Sequence, residues 1–147
     1  MVLLKECIMA FIGTIAFALL FSVPGRYYPW CGAIGAAGWL VYRLVSQAGS
    51  NRMLAAFLAT VLVIILSRLC AVRERCPVTI FMVSGLFPLV PGVGIYWTIY
   101  ELVMENMDGA IQRGTAALQD AIAIVLGIIF VFELPQKLFS IARRSKP

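Results

Sequence analysis

Residues 81–100 read Phe-Met-Val-Ser-Gly-Leu-Phe-Pro-Leu-Val-Pro-Gly-Val-Gly-Ile-Tyr-Trp-Thr-Ile-Tyr, apolar enough to enter a bilayer yet interrupted at Pro88, Pro91, Gly92 and Gly94. Each proline removes a backbone donor and clashes with the preceding turn, and each glycine relaxes the backbone. Lipid supplies no hydrogen-bonding partner, so a break at membrane depth persists only where protein or a water-filled cavity satisfies the freed groups. In transport proteins such a discontinuity is the sequence pointer to a substrate site. The alternative is a structural kink, which one proline would favour; two prolines with two glycines favour a functional break.

The rest of the chain fits that setting. Of its 147 residues 62% are hydrophobic and 13% charged, with a mean hydropathy of +0.95. Soluble domains run at about 45–50% apolar and about 25% charged. The sequence therefore predicts an all-α integral membrane protein, one transmembrane module over residues 1–147. About five transmembrane helices are expected, near residues 2–22, 29–45, 53–71, 78–106 and 116–134, the fourth broken near Pro88 and Gly92. The first apolar run ends in Ser22-Val23-Pro24-Gly25 rather than a small-x-small cleavage site, so it is expected to remain as a span.

The net charge of +5 does not imply a nucleic-acid partner, because the basic residues cap apolar segments and form no continuous stripe. Cys7, Cys31, Cys70 and Cys76 show no C-x-x-C spacing and histidine is absent, so neither a metal site nor a cofactor is expected. The cysteines read as small buried apolar side chains. No nucleophile–base constellation stands out, and no enzyme is expected.

Lys and Arg counts set the orientation. With five full crossings, one face carries Arg26, Arg68, Arg73, Arg75, Lys137, Arg143, Arg144 and Lys146, and the other Lys5, Arg43, Arg52 and Arg113, eight against four. A re-entrant fourth segment would give seven against five. The first split is better polarised, placing the N-terminus outside and the C-terminus in the cytoplasm of a multi-pass protein of the inner (cytoplasmic) membrane.

From Pro77 to Pro88 a helix rises roughly 16 Å, about half the hydrocarbon core. The break should thus lie near the midplane, with Pro88, Pro91, Gly92, Val93 and Gly94 opening a second half-helix. Its first amides lack intrahelical partners and suit a carboxylate. Free carbonyls around Ser84 would suit an ammonium group, a cation or a proton-carrying water. Tyr96, one turn on, is placed to line the cavity or to bond a neighbouring backbone. Asp120 lies within the last span, where an ionisable group defaults to function. It is a candidate for a coupling proton or a substrate ammonium, or else it reaches the outer headgroups. Arg26 stands where it would attract anions to the cytoplasmic mouth or anchor that face. Arg43 and Arg68, near span ends, are expected to snorkel. Glu101, Glu105 and Asp108 share a helical face and read as a solvated outer rim. Gly32, Gly35 and Gly38, with Trp39 and Tyr42, form a helix-packing face, since small residues let backbones approach closely in lipid.

The run Val23-Pro24-x-Arg26, Gly35-x-x-Gly38-Trp39-x-x-Tyr42, Arg68 with Pro77-x-x-x-Phe81, and Pro88-Leu89-Val90-Pro91-Gly92-x-x-x-Tyr96 resembles the threonine/serine exporter family. The likeness spans residues 21–100 and is to the family's second membrane module, including its stand-alone small subunits. The resemblance implies proton-driven efflux of small hydroxy-amino acids, or of succinate-like dicarboxylates in two-subunit members. It also implies a partner: half a transporter in the lipid, completed by a second membrane subunit resembling the family's first module, or by an inverted copy of itself. An odd number of spans makes two such modules inverted relative to each other, the arrangement that supports alternating access. A non-transporting assembly or scaffold subunit is the competing expectation, because the glycine-rich second span is an association surface in either case.

Overall fold

A computed structural model describes residues 2–135, and every regular element among them is helical. The basic tail residues Lys137, Arg143, Arg144 and Lys146 lie outside the described residues. In chain order the helices are α1 (Val2–Leu20), α2 (Tyr28–Gln47), α3 (Arg52–Glu74), α4 (Thr79–Leu86), α5 (Gly92–Val103) and α6 (Met107–Glu133). A 3₁₀ turn, Phe87–Leu89, extends α4 toward α5.

Local chemistry sets these limits. Pro29 opens α2 within its first turn, where a missing amide costs nothing. Asn51 and Asn106 cap α3 and α6 through their side-chain oxygens. Arg75 adopts a left-handed conformation (φ 54°) and its amide, with that of Cys76, returns to the Ala71 carbonyl to end α3. α2 and α3 exceed the expected spans by one to three residues at each end, while α1 stops at Leu20 and the fourth segment runs only from Thr79 to Val103. The largest departure is α6, which begins at Met107, well before the expected start near residue 116.

By length and composition α1, α3 and α6 each suffice to cross a membrane, and the bent α4–α5 pair together makes up to four such spans. α2 has the length, 20 residues, but Arg43 and Gln47 with its tyrosines lower its apolarity. The architecture is that of an all-α membrane protein.

α2 is the hub, and its glycines are the reason. A Cβ on Gly35 would lie 2.0 Å from Thr14 Oγ1 of α1, one on Gly32 2.7 Å from the Phe11 ring, and one on Gly38 2.4 Å from Val63 of α3. α1 thus rests on Gly32 and Gly35, and α3 on Gly38. Gly85 brings α4 onto Ile34 and Val63 in the same way. Gly127 seats α6 against Thr60 and the Phe57 carbonyl of α3. The fully buried Tyr27, Phe81 and Val63 fill the space between these contacts. In lipid such packing, rather than escape from water, holds helices together.

Buried hydroxyls follow the same economy of partners. Thr14, Ser67 and Ser84 each donate a 2.7 Å bond to the carbonyl four residues back, as the half-buried Thr98 also does. Thr60 differs: its Oγ1 is buried and bonds to no protein group.

α5 stands apart from this bundle. It packs along α6, with Gly94 against Ala117 and Gly114 against Thr98, and has hardly any other neighbour. None of its residues is buried, and Val93, Ile95, Tyr96, Ile99 and Val103 are exposed.

Candidate substrate path

The break is built from two turns and an extended link. The segments 79–89 and 92–103 meet at 47°. Val90 is extended (ψ 129°) and Pro91 turns the chain (ψ 47°) into α5. The 3₁₀ turn uses the Ser84 and Phe87 carbonyls, which accept from Phe87 and Val90. Beyond it, the Gly92 amide folds back on the Val90 carbonyl at 2.7 Å, and the α-helical ladder starts with Ile95 donating to Pro91. By helix geometry Val93 and Gly94 carry the first-turn amides outside that ladder. Gly92 and Val93 face outward from the chain, and nothing lies within 4 Å of a Cβ placed on Gly92. Pro88 sits within the 3₁₀ turn, held from one side by Phe87, whose ring stacks on Phe17 of α1 at 3.4 Å.

On the α4 side of the break is a cavity of about 290 Å³. Its walls are residues 21–24, which link α1 to α2, and Thr79, Ile80, Val83 and Ser84 of α4. Ser84 is thus brought to a cavity, although its hydroxyl is already bonded to Ile80. Arg26 lies two residues beyond the cavity wall, exposed, its guanidinium over the Tyr27 ring at 4.4 Å and donating to the Tyr27 hydroxyl.

On the other side lies an ion pair. Arg52, the first residue of α3, places Nη2 2.5 Å from Asp120 Oδ2 on α6. The Asp120 side chain is only 6% exposed and Arg52 54%. Asp120 Oδ1 is buried and accepts no hydrogen bond from the protein. Ala117, which Gly94 of α5 touches, is one helical turn from Asp120, so the first turn of α5 approaches α6 beside this pair.

Other expected site residues land elsewhere. Tyr96 does not line the cavity; it is 61% exposed and packs its ring on Trp97 (5.5 Å) and Tyr100 (6.5 Å). The Trp39 and Tyr42 rings pack at a tilt with centroids 5.5 Å apart, and Trp39 Nε1 donates to Glu6 Oε2 at 3.4 Å. Arg43 and Arg68, expected to snorkel, each have a partner within the protein. Arg43 Nε is 2.6 Å from Glu6 Oε2 on α1, outside hydrogen-bond alignment. Arg68 donates to the carbonyls of Val131 (2.6 Å) and Leu134 (3.2 Å), closing the end of α6. Glu101 is likewise no bare rim residue, since it accepts from Arg113 (3.1 Å) and Asn106 (2.8 Å). Glu105 and Asp108 are exposed.

Sequence reasoning missed that Arg52 meets Asp120 and Glu6 meets Arg43. One clue was available: a carboxylate in mid-span calls for a basic partner at matching depth on a neighbouring helix.

A family model described as "Threonine/Serine exporter, ThrE" matches residues 6–133. No solved structure matches the chain.

Proposed function

The chain belongs to the threonine/serine exporter family, and on that premise we propose that it forms half of a proton-coupled exporter of small hydroxy-amino acids. The observation that carries this is the 47° break between the two halves of the fourth span, with the first-turn amides of α5 directed at the substrate carboxylate. The cavity beside Ser84 is the cytoplasmic vestibule and Arg26 draws anions to it. Val90 and Pro91 divide that vestibule from the outer side, where Arg52 and Asp120 lie. Asp120 takes up the coupling proton as cargo leaves. Succinate-like dicarboxylates are the other cargo class compatible with a helix-terminal carboxylate site.

A second membrane subunit, or an inverted copy, completes the path. The outward exposure of Gly92 and Val93 supports this, because an interrupted backbone at membrane depth must be covered by protein or border an aqueous cavity. The N-terminus is outside and the C-terminus cytoplasmic, in the inner membrane.

The test is efflux of labelled threonine, serine and succinate from cells expressing the chain alone and with a second exporter module. Amino-acid efflux is expected in the two-module cells, and unchanged efflux in every combination favours an assembly subunit instead. Pro91→Ala with Gly92→Leu should abolish efflux while membrane insertion persists; retained efflux removes the half-helix site. Asp120→Asn should flatten the pH dependence. Its charged neighbour is Arg52, while Glu101 and Arg113 on the facing α5–α6 stretch bond each other. An unaltered pH profile frees Asp120 of the coupling role.

A further inference from the structure

Arg52 and Asp120 are a poor stabilising pair, and each is poor in its own way. Arg52 stands at the first position of α3, the positive end of the helix dipole, where a cation is disfavoured. A structural arginine–carboxylate pair is typically bidentate, with both oxygens occupied. Here Arg52 meets Oδ2 alone, and Oδ1 is buried with no donor from the protein. Leaving a buried acceptor unpaired is destabilising, more so on a charged group. The two partners also differ in freedom: Asp120 is fixed in the α3–α6 seam, whereas the long Arg52 side chain is half exposed and able to swing.

We infer that Arg52 and Asp120 form a docking site for the zwitterionic head of an amino acid, a proposal that rests on the exporter function above and assigns two of its residues. The cargo's ammonium donates to the unpaired Asp120 Oδ1. Its carboxylate takes the Arg52 guanidinium, which rotates outward from Oδ2, and the adjacent first turn of α5 supplies its free amides. One ion pair becomes two, with no net charge added to the seam. The charge of the site is thus matched to an α-amino acid and mismatched to a plain acid or amine. Once Asp120 has released the coupling proton, the empty site re-forms the Arg52–Asp120 contact and is neutral. Arg52 therefore sets specificity, a role the break alone cannot supply, since a helix N-terminus accepts any carboxylate.

The experiment measures calorimetric binding to the full chain in lipid nanodiscs, using three probes. These are L-threonine, 1-aminopropan-2-ol, which lacks the carboxylate, and 3-hydroxybutyrate, which lacks the ammonium. The unmodified chain should bind threonine on the order of ten- to a hundredfold more tightly than either analogue, as loss of a charge-assisted bond implies. Arg52→Gln should lose the preference over 1-aminopropan-2-ol and keep that over 3-hydroxybutyrate; Asp120→Asn should do the reverse. Arg52→Lys, which keeps the charge, should restore part of the first preference. Circular dichroism checks that each variant folds, and the double variant Arg52→Gln with Asp120→Asn retains a neutral hydrogen-bonding pair should either single variant fail to fold. That double variant should lose both preferences. If threonine binds and the preferences do not change in the variants, the pair is structural and this inference falls while the exporter function stands. If no probe binds the unmodified chain, the inference falls, and with it the assignment of the substrate site to this chain.

Discussion

Gly35→Ala is the sharpest test of how the bundle is held together. The added methyl would lie 2.0 Å from Thr14 Oγ1 and 2.9 Å from both Thr14 Cβ and Cγ2, where ordinary contact begins at 3.4 Å. No Thr14 rotamer relieves this, because Cβ itself is too close. The hydroxyl is moreover fixed on the Ala10 carbonyl at 2.7 Å, in a side chain with no exposed surface. α1 must therefore move away from α2 by more than an ångström, loosening the contacts at Phe11 and Thr14 together. Overpacking of this kind costs about 1–3 kcal/mol, while replacing a mid-helix glycine returns about 0.5–1 kcal/mol. Gly13→Ala supplies the control, since nothing lies within 4 Å of its Cβ and only the helical gain applies. Reversible unfolding in mixed micelles should separate the two variants by the overpacking cost alone, about 1–3 kcal/mol, roughly five- to a hundredfold in the equilibrium. Thr14→Gly added to Gly35→Ala should recover part of the loss. If Gly35→Ala is as stable as Gly13→Ala, close backbone approach at Gly35 is not what joins α1 to α2.

Arg68→Gln removes the cation that closes α6, and hydrogen exchange at the amides of residues 131–134 should rise about tenfold, in line with loss of a charge-assisted bond; unchanged exchange there would show that the cap contributes nothing. Cys76, in the turn between α3 and α4, reports orientation: in a chain with Cys7, Cys31 and Cys70 replaced, an impermeant maleimide should label it from the cytoplasmic side alone. Labelling from outside would invert the proposed topology. Burial pushes the Cys76 thiol up, with the Tyr27 hydroxyl and Arg26 partly offsetting this, so labelling should be slow at neutral pH and accelerate as the medium becomes alkaline.

What the sequence disclosed were features carried by single segments. Apolar runs of span length, Pro29 and the paired prolines act locally: the chain is helical, α2 opens at Pro29 and the fourth segment bends at Pro88–Pro91. What stayed hidden depends on how helices are set against each other. Arg52 and Asp120 are 68 positions apart, and Arg68 and Leu134 are 66 apart. Their meeting depends on the depth at which α6 lies along α3, which Gly127 against Thr60 decides. Tyr96 faces outward for a similar reason. Gly94 and Thr98 turn toward α6, so the residue between them is directed elsewhere. The early start of α6 was concealed because Asp108, Gln112 and Arg113 interrupt the apolar run, although they lie on the helix that packs along α5 and Arg113 pairs with Glu101 there.

The isolation of α5 has a mechanical consequence. Among the described residues it is joined to the bundle chiefly at two places, the extended link at Val90 and Pro91 and its seam with α6. A sideways push on α5 therefore reaches the interior as torque on α6, about a pivot near Asp120 where α6 passes from α5 to α3. Below that pivot α6 is clamped by Gly127 and Arg68, so the bending falls on the turn of helix that carries the carboxylate.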